Sequence, residues 1–335
     1  MATSKVPEAL LTRIRRGHRF LLTSHVHPDG DAIGSELGLS RLLRHLGKGA
    51  TIWNRDPTPQ LYRPLPGSQR IHVGPEPPAG FPELFDAAIV LECPSPDRTG
   101  LEEELSTLPI LNVDHHLVNE HYGEVNWVES SAPAVGEMIY RLARALNLEL
   151  DQPTADALYL TLVTDTGGFR FSNTTPAALE AAAALVREGA SPETVSHWLY
   201  ESRPESTLRL LGEMLATLEL HAEGRIAAVW LTDEMRARAD AAEGDSEGLI
   251  DYPRSIAGVE AVALFRQLSD GGTKISLRSR GRVDVEKVAR LNGGGGHQNA
   301  AGFSLPAGDR EAVVRTTVAA LTEALGAAQE DGRSG

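Results

Sequence analysis

The stretch Thr23-Ser24-His25-Val26-His27-Pro28-Asp29-Gly30-Asp31-Ala32-Ile33-Gly34-Ser35 decides how the chain is read. It packs His25, Asp29 and Asp31 into one short span. Ahead of it, residues 18–24 read as a short buried strand. Behind it, Ile33, Leu37, Leu42, Leu43 and Leu46 recur at helical spacing, and Gly47 is placed to end that helix. The acidic cluster therefore sits on a strand-to-helix turn, which in a parallel sheet is the carboxyl edge where ligands bind. Pro28 and Gly30 dictate a tight turn on which the side chains converge. One imidazole with several hard carboxylates suits Mn²⁺ or Mg²⁺, whereas a structural Zn²⁺ site prefers thiolate. Asp-Gly-Asp at a helix start also serves as a plain N-cap, so the rest of the chain has to decide.

Two further strand ends repeat the pattern. Residues 87–91 form a continuous apolar run closed by Glu92 and Cys93, as in a fully buried parallel strand with a carboxylate at its end. The turn after it carries Asp97 and Arg98. Ile110, Leu111 and Val113 make another strand, with Asp114, His115 and His116 at its end. An aspartate beside such an imidazole can hold one ring nitrogen while the other binds metal. A helix through residues 151–166 breaks at Gly167-Gly168 and leaves Asp165 near its carboxyl end. The helix dipole disfavours a carboxylate there, and a cation would offset it.

Composition sets the limits. The 335 residues allow two domains. With 41% hydrophobic but only 5% aromatic residues, the core is built from Leu, Ala and Val. The single cysteine, Cys93, allows no intramolecular disulfide and fits a reducing compartment. The first residues hold no long apolar run, so no signal peptide, no membrane partner and a cytoplasmic location are expected. A formal net charge of −14 argues against a grip on long duplex nucleic acid. It allows a small anionic substrate, provided that metals and local arginines neutralise it.

The second half reads as a smaller mixed domain. Residues 204–220 form an amphipathic connecting helix, and strands follow from about His221, with a hairpin turn at Ser269-Asp270-Gly271-Gly272. Gly293 to Gly296 form a four-glycine run followed by His297. Such a run is costly in chain entropy, and an anion-cradling loop built on Gly294, Gly295 and Gly296 explains it. From Lys274 to Arg290 six basic residues face two acidic ones, a local balance of 6 − 2 = +4. Arg278 alternates with Ile275 and Leu277 and is singled out as a phosphate partner. The expected organisation is an α/β domain over 1–190, a helical linker over 191–220, a mixed α+β domain over 221–326 and a disordered tail over 327–335.

Together these motifs resemble the DHH family of phosphoesterases, from about Arg19 to Leu325. HVHPDGDAIGS, VDHH and VTDTGGF resemble its metal-binding motifs, and KISLRS with VDVEKVARLNGGGGHQNAAGF resembles the DHH-associated substrate domain. Within the family the chain is most similar to the nanoRNase/pAp-phosphatase branch. Members of that branch degrade very short oligonucleotides and dephosphorylate 3′-phosphoadenosine 5′-phosphate. The resemblance implies a parallel-sheet catalytic domain, a helical linker and a smaller mixed domain, with the site in the cleft.

It also implies two divalent ions, Mn²⁺ ahead of Mg²⁺. One would take His25, Asp29 and Glu92; the other would take Asp31, Glu92, His115 and Asp165. Asp114 would support His115, and His116 would face the scissile phosphate. Arg278, Gly294, Gly295, Gly296 and His297 would hold the substrate's phosphates and sugar, with Ser35 and Arg98 at the pocket; His27 has no assigned role. The partners implied are short RNA or DNA oligonucleotides or small nucleotides, with a homodimer compatible. One departure stands out: Glu92 occupies a bridging position where the family usually has aspartate. A cyclic- or linear-dinucleotide phosphodiesterase is the alternative within the superfamily. A nucleotide-binding regulatory protein with an impaired metal site is the alternative outside it, and Glu92 is its only support.

Overall fold

The computed structural model describes residues 5–246, 248–268 and 271–331. The chain divides into two compact units, Met1–Ser202 and Arg203–Gly335.

In the first unit, β1 (Arg19–Thr23), β2 (Gly49–Asn54), β3 (His72–Val73), β4 (Ala87–Leu91), β5 (Ile110–Asp114) and β6 (Val125–Val128) form one sheet. Its order is β3-β2-β1-β4-β5-β6, and every pairing is parallel. The chain winds outward from β1 on one side and from β4 on the other. The switch point of this α/β sheet therefore lies between β1 and β4, where open parallel sheets bind ligands. The helices are α1 (Glu8–Arg16), α2 (Gly30–His45), α3 (Glu102–Leu105), α4 (Val135–Ala145), α5 (Gln152–Asp165), α6 (Pro176–Arg187) and α7 (Pro192–Tyr200).

The apolar runs are continuous because both faces of the sheet are covered. Phe20, Leu22, Ile89, Leu91, Leu111 and Val113 point into the larger core with α1, α2, α4 and α5. Leu21, Ala88 and Val90 point into a smaller one with Trp53, Phe85 and Leu105.

Helix α2 is buried on nearly all sides, and glycines make that possible. Gly30, Gly34 and Gly38 lie one turn apart, so they share a face, and α5 presses against it. A Cβ on Gly34 would stand 2.5 Å from Thr161 Cγ2 and 2.7 Å from the Ala157 carbonyl oxygen. Gly30 and Gly38 meet Thr164 and Leu158 at similarly short range. This close approach sets the amino end of α2, with Asp31, against the carboxyl end of α5, with Asp165.

In the second unit, β7 (Glu219–His221), β8 (Ile226–Leu231), β9 (Ala261–Gln267), β10 (Thr273–Ser279), β11 (Gly295–His297) and β12 (Ala300–Leu305) form a mixed sheet in the order β11-β12-β10-β9-β8-β7. Among the described residues only β8 and β9 pair in parallel. The expected hairpin is the antiparallel pair β9–β10; Ser269 and Asp270 of its turn lie outside the described residues. Helices α8 (Glu205–Leu215), α9 (Asp233–Ala239), α10 (Asp251–Arg254), α11 (Val285–Leu291) and α12 (Arg310–Asp331) complete the unit.

Some expectations change here. The stretch 191–220 is shared between the units: Val195 and Leu199 of α7 join the first core, and Leu210 and Met214 of α8 join the second. Residues 327–331 of the expected tail continue α12, and 332–335 lie outside the described residues. The glycine run is not an open loop. Gly295 and Gly296 belong to β11 and pair with Gly302 and Ala301 of β12. The N–H of Gly294 donates to the Ala289 carbonyl at 2.9 Å, closing α11, so it does not turn to an anion. A Cβ on Gly294 would lie 2.2 Å from the Gly302 carbonyl oxygen, which gives this glycine a packing reason. No helix among the described residues is long and apolar enough to cross a membrane.

Candidate active site

Each candidate donor stands where an element ends. His25 follows β1, Glu92 follows β4, and His115 and His116 follow Asp114, the last residue of β5. Asp29 caps α2, accepting the Ala32 N–H at 3.0 Å. The capping and ligand readings of this aspartate are thus compatible, because one oxygen caps and the other remains. Asp31 lies in the first turn of α2, and Asp165 is the last residue of α5.

Side-chain donors converge in three overlapping groups: His25–Asp29–Glu92, Asp31–His115–Asp165 and Glu92–His115–His116. Within each group the donor atoms all lie within 4.8 Å of one another. Glu92 joins two groups. Its Oε2 is 2.5 Å from His25 Nε2, and its Oε1 is 3.6 Å from His116 Nε2 and 3.8 Å from His115 Nε2. Its φ of +52° is left-handed, a conformation that costs a non-glycine residue about 1–3 kcal/mol and recurs at functional sites.

The three imidazoles share one arrangement. His25 Nδ1 is 2.7 Å from the Val26 carbonyl oxygen, His115 Nδ1 is 3.1 Å from that of Ala132, and His116 Nδ1 is 2.8 Å from Asp114 Oδ1. With Nδ1–H as donor in each, every Nε2 points toward the carboxylates, the outer hydrogen bonding typical of metal-binding histidines. This corrects the expectation for Asp114, which holds His116 and not His115. Residues two apart in an extended chain share a side, so Asp114 meets His116, while the Ala132 carbonyl takes His115.

Asp31 is buried and fully engaged. It accepts Ser35 Oγ–H at 3.0 Å and the N–H groups of Val135 at 2.6 Å and Gly136 at 3.1 Å. Ser35, one turn along α2 and wholly buried, therefore orients Asp31; it does not face a substrate pocket. Arg98 is half-buried, and its carbonyl accepts the Val26 N–H at 2.7 Å, tying the β1–α2 loop to the turn after Glu92. His27 has φ +56° and a side chain 88% exposed beside Asp56, outside all three donor groups.

The electrostatics suit a cation. Burial pushes Asp31 up to about 6 against the pull of His115. Burial and the Asp31 charge push Asp165 well above the carboxylate range. Burial opposes a charged His25, yet Glu92 holds it up at about 10. Divalent ions among these carboxylates would offset the mutual repulsion and take the place of those protons. The oxygen-rich, imidazole-containing donor set fits Mn²⁺ or Mg²⁺.

In the second unit, Arg278 of β10 is half-buried and donates from Nη1 to the Leu277 carbonyl at 3.0 Å. Burial lowers its guanidinium below the ordinary value, opposed by Asp251. His297 ends β11, and its side chain lies outside the described residues. Three residues escaped notice in the sequence: Asn112, Asn119 and Tyr122, whose hydrogen bonds join the ends of β4 and β5. Asn112 in the apolar strand ILNVD was the available signal, because a buried polar side chain implies partners.

The DHH family N-terminal domain matches residues 19–162, and the DHHA1 domain matches residues 224–325. A curated relative from Thermus thermophilus, "Bifunctional oligoribonuclease and PAP phosphatase NrnA", is 35% identical over 91% of this chain and 89% of its own. The chain belongs to the DHH family. A Bacillus subtilis relative of the same name is 28% identical to this DHH-family chain, over 85% of it and 88% of the relative. Among solved structures, an exopolyphosphatase-related protein from Bacteroides fragilis superposes with a TM-score of 0.89 at 26% identity, covering 98% of this chain and 100% of that one.

Proposed function

We propose that this DHH-family protein is a metal-dependent phosphoesterase that hydrolyses very short oligonucleotides to mononucleotides and 3′-phosphoadenosine 5′-phosphate to AMP. The observation that carries the reading is Glu92, whose two oxygens face different donor groups. The names of its relatives, matched over most of their length, supply the substrate class.

His25 and Asp29 with Glu92 would hold one divalent ion; Asp31, His115 and Asp165 with Glu92 would hold a second. Mn²⁺ is the ion we propose. Bound there, the ions would supply an activated water and offset charge on the phosphate oxygens. The chain's own residues do the rest. Ser35 and the first amides of α4 hold Asp31 in place. His116, its Nδ1–H given to Asp114, presents Nε2 to the scissile phosphate. Arg278 holds a second phosphate of the substrate through the strong hydrogen bonds of guanidinium to phosphate. The proposal includes a cytoplasmic location, consistent with the unpaired, buried Cys93, and a homodimer, which light scattering would test.

The experiment is hydrolysis of 5′-labelled RNA, from dinucleotides to long strands, and of 3′-phosphoadenosine 5′-phosphate, with Mn²⁺ and with EDTA. Dinucleotides should be strongly preferred and EDTA should stop the reaction. Equal rates on dinucleotides and long strands would overturn the short-substrate reading.

A further inference from the structure

Between the ends of β4 and β5 lies a polar network to which no role is assigned. Asn119 Nδ2 donates to Asp114 Oδ2 at 2.6 Å and to Asn112 Oδ1 at 2.9 Å. Asn112 is wholly buried, and its Nδ2 donates to the Cys93 carbonyl at 3.1 Å and to Tyr122 Oη at 3.1 Å. Tyr122 in turn donates to the same Cys93 carbonyl at 3.0 Å. Cys93 directly follows Glu92, and the other oxygen of Asp114 is the one that holds His116 Nδ1. The Glu120 N–H donates to the Pro94 carbonyl at 2.9 Å, a second tie across the same gap.

Asn119 is thus the member that touches both Asp114 and the amide anchoring the turn after Glu92. A carboxylate with only one oxygen engaged can rotate, and its imidazole partner rotates with it. With both oxygens engaged, the Asp114 plane is fixed, the proton on His116 is kept at Nδ1, and Nε2 is aimed along a single direction. Glu92 Oε1 lies 3.6 Å from that nitrogen, so Nε2 stands at the edge of the donor groups.

We propose that Asn119 is a positioning residue: acting through Asp114, it sets the tautomer and direction of His116. The kinetic consequence rests on the proposed phosphoesterase reading; the effect on the imidazole does not. The competing role is purely local, because Asn119 Oδ1 also accepts the His121 N–H at 2.7 Å and so shapes the loop after His116.

The test uses the full chain labelled with ¹⁵N-histidine, in wild type, Asn119→Leu, His116→Gln and the double variant. His116→Gln assigns the ring signal. Wild type should show His116 with its proton on Nδ1, and Asn119→Leu should mix the two tautomers. On dinucleotides Asn119→Leu should lower kcat about 10- to 100-fold, the usual effect of losing an outer partner in a metal site, with KM nearly unchanged. In the His116→Gln background the same substitution should cost nothing further, because the two side chains act as one unit. A purely local role predicts additive losses and an unchanged ring signal, and either result overturns the proposal. If wild type cleaves no oligonucleotide, the functional reading fails, and the ring signal still decides the role of Asn119.

Discussion

The carboxylate of Asp31, in the first turn of α2, accepts the N–H of Val135, the first residue of α4, at 2.6 Å. One side chain thereby presents an oxygen to His115 and caps a second helix from outside it. Removing it outright would confound two effects. Asp31→Asn removes the charge and keeps an acceptor for one of the two amides, that of Val135 on one oxygen or that of Gly136 on the other. It should fold normally by circular dichroism and lose hydrolysis by on the order of a hundredfold or more, the scale of losing one preorganised electrostatic group. Asp31→Ala should in addition lower stability by about 1 kcal/mol, as for a lost helix cap. An Asp31→Asn variant with the wild-type rate would remove Asp31 from the chemistry.

The contact of Gly34 with Thr161 and the Ala157 carbonyl makes a second prediction. Even one methyl group there has no room, and backbone lies on one side of the clash. Gly34→Ala should destabilise by about 1–3 kcal/mol, the range for overpacking, measured from the urea midpoint. It should also weaken Mn²⁺ binding, because α2 and α5 carry Asp31 and Asp165. A neutral Gly34→Ala would show that the two helices separate without cost.

Glu36, which lies within electrostatic reach of His25 and Glu92, supplies a pH prediction. It is wholly buried, accepts the Asn54 Nδ2–H at 2.9 Å, and is pushed up to about 7, chiefly by burial. A carboxyl raised in the folded state binds its proton more tightly there than in the unfolded chain. Its stabilising contribution is therefore complete below about pH 4.5 and is lost as pH rises through about 7. Glu36→Gln should flatten the fall of Tm across that window and exceed wild type at its upper end. Identical Tm profiles for the two proteins would contradict the assignment.

Arg278→Ala should weaken substrate binding more than the chemical step, with a loss of about 1.5–3 kcal/mol, as for a hydrogen bond to a charged group. Steady-state kinetics on dinucleotides separate the two effects. Unchanged KM with a reduced kcat would assign Arg278 to transition-state stabilisation.

Much of the sheet edge was legible in the sequence, because a parallel strand buried on both faces writes itself as an unbroken apolar run. In AAIVL and ILNV the next polar side chain must be the strand end, so Glu92 and Asp114 were placed by their neighbours alone. What was not legible depends on distant contacts. Ser35 reads as a pocket residue because nothing near it in sequence shows that its side of α2 is buried and turned to Asp31. Asp114 was paired with the adjacent histidine when the pleat gives it the next one. The entropic cost of the glycine run suggests an anion cradle at 294–296, and only folding shows how closely β12, which follows it, packs there.

Glu92 is the residue proposed to join two metal sites in an enzyme acting on short oligonucleotides. The decisive measurement is calorimetric Mn²⁺ titration of wild type, Glu92→Gln and Glu92→Asp, with dinucleotide hydrolysis measured on the same samples. Wild type should bind two Mn²⁺ per chain, as a two-metal phosphoesterase requires, and release protons as it does so. Glu92→Gln should bind fewer ions and lose most of its activity, and Glu92→Asp should remain active. Wild-type stoichiometry and rate in Glu92→Gln, or full wild-type activity in EDTA, would rule out a two-metal site joined by Glu92.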